Sequence, residues 1–186
     1  MFDDNRSKRL IVVAHCLLNQ NSISDGTADF PSQFRELIDL IMDNGIGLIQ
    51  LPCPELTCLG LDRNDKLGGT RPLLEENSRI RILLREPDNV ERLRHKAEEV
   101  AAHIQEYESY GFKVLGIIGI NRSPSCGVET TSEEGREVVG RGVFFEAISE
   151  ALRDREQLVR MIGVKTSQTE SSVQKVKQLM EESSEA

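Results

Sequence analysis

KVLGIIGI, at Lys113–Ile120, is the stretch that decides the fold. After the opening lysine every residue is apolar or glycine, with no polar residue in alternate positions. A strand that reads this way is covered on both faces, the situation of a parallel sheet flanked by helices. Outward from it the same kind of element recurs. Residues 9–15 and 46–51 read as two earlier strands, and residues 158–164 as a fourth. Helical spacing fills the gaps between them. Phe34, Leu37, Ile38 and Ile41 follow Pro31 and Ser32 and stop at Gly45. Val90, Leu93, Ala97, Val100, Ile104 and Tyr107 mark a long helix over residues 87–110, ended by Gly111. Phe144, Ala147, Ile148, Ala151 and Leu152 mark another. Val173, Val176, Leu179 and Met180 mark the last, behind Ser167 and Glu170 in capping-box spacing. Alternating strands and helices predict an α/β fold: a single-domain three-layer sandwich with a mostly parallel sheet and helices on both faces. It spans residues 1–186, with residues 1–8 and 181–186 flexible. Residues 52–85 are the least regular part, with a short strand or helical turn at 80–84, and a polar loop follows the third strand as far as Gly142.

A chain of 186 residues suits one domain. Trp is absent and aromatics are 4%, so the core must rest on Leu, Ile and Val. The net charge of −8 lacks the basic surface that non-specific nucleic-acid binding requires. No apolar run has the length of a membrane span. The basic residues ahead of Leu10 superficially resemble a signal peptide, but His15 interrupts the apolar run and Asn-Gln-Asn-Ser follows in place of a small-residue cleavage site. Four cysteines in a chain this size do not make a disulfide scaffold and suit a reducing cytoplasm. The expected partner is a small molecule, with no membrane and no nucleic acid; the oligomeric state is left open.

Cys16, Cys53 and Cys126 each follow a predicted strand. In an open parallel sheet the carboxyl ends of the strands form the ligand crevice, so these three converge. A cysteine is commonly a small buried hydrophobe. These three instead stand in turns beside Pro, Ser, Glu and Asn. Converging thiolates suit a metal, an iron–sulfur cluster or reactive-thiol chemistry. The Cys-x-x-Cys pairs of zinc knuckles and disulfide oxidoreductases are missing, as is the Cys-x5-Arg of a phosphatase. Three separated thiolates suit a cuboidal 4Fe–4S cluster with one iron open as a Lewis acid. Cys58 is either a fourth ligand, which would close the cluster into a non-catalytic site, or a loop thiol. Glu55, two residues after Cys53, is either a catalytic base or a solvated carboxylate at a helix start. His15 is a supporting donor, a substitute ligand or a half-buried histidine at a strand end. His95 and His103 lie off the apolar stripe of their helix and face solvent.

These segments resemble the 2-thiouracil desulfurase family, also called DUF523. The matching stretches are Val12-Val13-Ala14-His15-Cys16-Leu17-Leu18 with Asp25-Gly26 behind it, Cys53-Pro54-Glu55, and Ser123-Pro124-Ser125-Cys126-Gly127, in the family's order. The resemblance covers roughly residues 9 to 165. It implies a 4Fe–4S cluster on Cys16, Cys53 and Cys126, which aerobic preparation can strip, and removal of sulfur from a small thiocarbonyl compound such as a thiolated nucleobase. It implies that Glu55 activates water, that Ser123 and Ser125 orient the ring or stabilise developing charge, and that Asp25, with His15, contacts substrate. The chain departs from the family at His15, at Cys58, and at Asp62-Arg63 where the family has Pro-Arg, the marks of a divergent member.

Overall fold

The computed structural model describes residues 2–185, with side chains through residue 182. In chain order the strands are β1 (Arg9–Val13), β2 (Gly47–Gln50), β3 (Lys113–Ile120), β4 (Thr130–Glu133), β5 (Arg136–Val139) and β6 (Met161–Val164). The helices are α1 (His15–Leu18), α2 (Arg35–Asp43), α3 (Pro54–Leu59), α4 (Leu73–Leu84), α5 (Pro87–Ser109), α6 (Val143–Asp154) and α7 (Thr169–Glu185). Short 3-10 turns sit at Gln20–Ser22 and Gly68–Thr70.

Four strands form a parallel sheet in the order β2-β1-β3-β6. The expected α/β architecture is therefore present. Helix α2 packs beside α7, and α5 beside α6. Ile11, Val12, Val13, Leu115, Ile117 and Ile118 of the two central strands are buried in one core with the helices' apolar stripes. The order fixes where a ligand would go. From β1 the chain moves outward to β2; from β3 it moves the other way to β6. The crevice lies between β1 and β3, where the direction of winding reverses.

Several expectations need correction. β1 ends at Val13, and His15 already begins α1, so Cys16 sits in a helical turn. The first long helix starts at Arg35 rather than at Pro31. The carboxamide oxygen of buried Gln20 accepts the backbone N–H groups of Asp29 and Phe30 and holds the preceding loop open. Residues 80–84 are the end of the twelve-residue helix α4. The polar loop after β3 contains an antiparallel hairpin, β4-β5, turned at Glu134 and Gly135, both with positive φ. β6 begins at Met161, and Leu158 is fully exposed. α7 starts at Thr169, two residues beyond Ser167; the bonds there run between the Ser172 hydroxyl and the backbone N–H and C=O of Lys165. Val90 and Tyr107 are largely exposed, while Leu93, Ala97, Val100 and Ile104 carry the α5 stripe. Phe2 packs edge-on against Tyr110 and Phe112, and α7 continues through Glu185; residue 186 lies outside the described residues.

Candidate active site

Each strand end delivers one cysteine, and each is fixed differently. Cys16 is the second residue of α1, a single turn held by Leu17 N–H on Ala14 O at 3.0 Å. Cys53 caps α3. Its sulfur accepts the Leu56 N–H at 3.5 Å, and Pro54 begins the helix with the φ a first turn requires. Cys126 lies in a folded loop. The Ser123 hydroxyl oxygen accepts the backbone N–H of Cys126 at 3.0 Å and of Ser125 at 3.3 Å, and Ile120 N–H donates to Cys126 O at 2.8 Å.

That loop is clamped from three sides. The first N–H groups of α6 need acceptors, and Val143 donates to Pro124 O while Phe144 and Phe145 donate to Ser125 O. From α4, buried Arg81 donates to Pro124 O, Thr131 Oγ1 and Arg141 O, and Asn77 donates to Arg122 O and Ser132 Oγ. Gly142 presses against the loop so closely that a Cβ there would meet Cys126 N at 2.7 Å and strike the Ser125 carbonyl.

All three cysteines line one cavity of about 200 Å3, with His15, Glu55 and Ser125 in its wall. Their thiols are close enough to disfavour one another's ionisation. Burial pushes Cys16 up to about 12, with Cys53 and Glu55 adding to it. Burial, then Cys16 and Cys53, raises Cys126 well above an ordinary thiol, partly opposed by the Ser125 hydrogen bond. Cys53 is raised by burial and by Glu55. All four cysteines are free. Among the described residues, no group of three or more His, Cys, Asp or Glu could hold a single metal ion. Cys58 is on α3, half-buried and within electrostatic reach of Arg92 and Cys53, and does not line the cavity.

Glu55 is 8% exposed, not a solvated loop carboxylate. Oε1 accepts from the Ser125 hydroxyl at 2.6 Å. Oε2 accepts from Arg63 Nε at 2.9 Å and the Ser24 hydroxyl at 3.2 Å. Arg63, 2% exposed, spends its remaining donors on the carbonyls of Gly60, Leu61 and Ser22. The Ser123 and Ser125 hydroxyls are 3.2 Å apart. With the Ser125 proton directed at Glu55, Ser123 is the donor between them.

Of the residues expected at the site, Cys16, Cys53, Cys126, Glu55, Ser123, Ser125 and His15 all line the cavity. His15 Nε2 faces the Asn19 carboxamide at 3.5 Å. Asp25 does not line it; its carboxylate packs against Gly69 in a neighbouring cavity. Ser24, Arg63, Asn77 and Arg122 also line the site and were not singled out as site residues in the sequence reading. Arg63 was named only in the pair Asp62-Arg63, where the resembled family has Pro-Arg; the chain is left-handed at Arg63 and Asn64.

No family model matches the chain. It is similar to a solved structure of the 4Fe-4S-dependent thiouracil desulfidase TudS, at 18% identity and a TM-score of 0.40, over 91% of this chain and 99% of that one. It is 32% identical over 123 residues to the uncharacterized protein MJ0003 of Methanocaldococcus jannaschii, covering 66% of this chain and 70% of that protein. At that identity and coverage, the chain belongs to the family of this archaeal protein.

Proposed function

We propose that the protein is an iron–sulfur enzyme that hydrolytically removes sulfur from a small thiocarbonyl compound, such as a thiolated nucleobase. The observation that carries this reading is the convergence of Cys16, Cys53 and Cys126 on one cavity that also holds Glu55 and Ser125. The segment motifs that resemble the 2-thiouracil desulfurase family point the same way.

The donor set fits a cluster. Three thiols from three strand ends share the cavity, as a cluster in which each thiolate would take a different iron requires. The fourth cysteine stays outside it, which favours three ligands over the closed, non-catalytic alternative. When bound, a cluster held at three corners supplies an open, Lewis-acidic iron that favours breaking a C–S bond.

The chain's own residues supply the rest. The net change is thiocarbonyl plus water to carbonyl plus hydrogen sulfide, with no oxidant or reductant consumed. Glu55 Oε1 takes a single donor and keeps acceptor capacity for a water, whose proton it receives as the oxygen joins carbon. Arg63 and Ser24 fix the other carboxylate oxygen, so the base is oriented before substrate arrives. Ser125 holds Oε1, and Ser123, whose hydroxyl donates to Ser125 before substrate arrives, would turn that proton to the ring or to developing charge.

Glu55→Gln tests this, because an amide keeps an oxygen for Arg63 and loses the base. Sulfide release from 2-thiouracil by the iron-loaded variant should fall by about 100-fold or more, with iron content unchanged. Undiminished turnover would remove Glu55 from the mechanism. A fully loaded wild type that releases no sulfide from 2-thiouracil, 4-thiouracil or 2-thioorotate would contradict the desulfurase reading.

A further inference from the structure

We infer that Asn77 binds substrate: its carboxamide oxygen accepts the ring N–H that flanks the thiocarbonyl, so the site selects thiocarbonyl compounds with an N–H beside the C=S group. The inference rests on the function proposed above and names how substrates of that class are chosen.

Leu73 and Asn77 stand one turn apart on α4, and both line the cavity with the three cysteines. Asn77 is 7% exposed, and its neighbours fix which end of the carboxamide is nitrogen. Ser132, fully buried, spends its proton on Arg122 O at 2.6 Å, so towards Asn77 its oxygen can only accept. Asn77 Nδ2 donates to that oxygen at 3.2 Å and to Arg122 O at 3.4 Å. Reversing the amide would set its oxygen against two acceptors, so Oδ1 is the end turned away from them. Oδ1 accepts no hydrogen bond among the described residues, yet it is not one of the side-chain atoms there that are both unpaired and sealed from solvent. The space it opens onto is the one its residue lines, the cavity.

An unpaired acceptor on a residue this buried is costly to leave unmatched. No hydroxyl of the cavity wall matches it. Ser22, Ser24, Thr27, Ser125 and Thr166 each donate to an acceptor of the protein, and Ser123 donates to Ser125. A ligand must therefore bring the donor. A neutral carboxamide oxygen suits a neutral N–H, which it takes without desolvating a charge. Ile23, Leu73, Ile120 and Pro124 add apolar wall, which suits a planar ring. In a thiolated pyrimidine N3 lies between C2 and C4, so its N–H flanks the thiocarbonyl whichever of the two carbons carries sulfur.

The test uses the iron-loaded protein and sulfur-free ligands, so that binding is read without turnover. The ligands 1-methyluracil and 3-methyluracil carry the same bulk, and the second lacks the N3–H. Calorimetry should show 1-methyluracil binding about 10-fold or more tighter than 3-methyluracil, which leaves the acceptor unpaired. Asn77→Ala removes the acceptor and should erase that preference. Asn77→Asp keeps an oxygen there and loses the Nδ2 donor, so the preference should persist. A residue that only braced the loop would respond alike to both substitutions, and that result overturns the inference. Equal binding of the two methyluracils by the wild type, or tighter binding of 3-methyluracil, overturns it without recourse to any variant. A preference that survives Asn77→Ala overturns it too, by assigning the N–H to another acceptor. Failure of the underlying reading shows in different measurements, as a protein that takes up no iron or a loaded one that releases no sulfide.

Discussion

Glu55 and Arg63 illustrate how single residues make this site. A carboxylate and a guanidinium buried together cost desolvation that their attraction offsets only when the remaining donors are satisfied. Here they are: Arg63 reaches three carbonyls besides Glu55, and Glu55 takes two hydroxyls besides Arg63. Removing one partner leaves the other charged, buried and alone. Arg63→Met should therefore lower unfolding stability by about 3–5 kcal/mol in urea denaturation, a large share of the roughly 5–15 kcal/mol margin of a folded domain. A loss under about 1 kcal/mol would mean that the pair is solvated in solution. At this scale the sequence was partly legible. Cysteines that follow strands announce themselves, two of them beside proline or glycine, and Glu55 stands two residues after Cys53. Arg63 and Arg122 did not announce themselves, because each depends on a left-handed turn that no residue type at those positions requires.

Among the elements, the loop carrying Cys126 is the one the rest of the fold serves. α6 caps it with three N–H groups, α4 braces it with Arg81 and Asn77, and Gly142 leaves room for its backbone. Gly142 is required for close approach, its φ of −70° being open to any residue. Gly142→Ala should push the loop away from α6, costing about 1–3 kcal/mol as an overpacked contact and cutting the iron retained after reconstitution. Full iron content in that variant would show that Cys126 is placed by other means. α4 also shows why residues 52–85 resisted sequence reading. Its buried face carries Glu76, Asn77 and Arg81 alongside Ile80 and Leu84, so the periodic signal of an apolar stripe is blurred by polar residues that hold the site loop and the turn before it. The hairpin β4-β5 was missed for a related reason: TTSE and REVV are short and mostly polar, and their two-residue turn at Glu134 and Gly135 has a weak signature. By contrast β3, apolar on both faces, was read to the residue.

For the whole molecule, the strand order β2-β1-β3-β6 explains how residues 16, 53 and 126 meet. Each follows a parallel strand, and parallel strands end at the same edge of the sheet. The point where the winding reverses, between β1 and β3, is where the sheet opens to a ligand. The architecture was legible from alternating patterns; the order was not, because pairing between strands far apart in sequence leaves no local signal. Anaerobic reconstitution with iron and sulfide, followed by metal and sulfide counts on the wild type and on Cys16→Ala, Cys53→Ala, Cys126→Ala and Cys58→Ala, tests the convergence most directly. Four irons and four sulfides per chain in the wild type and in Cys58→Ala, with loss of the cluster in each of the other three, is the predicted result. A cluster that also requires Cys58, or one that survives loss of Cys16, Cys53 or Cys126, would contradict it.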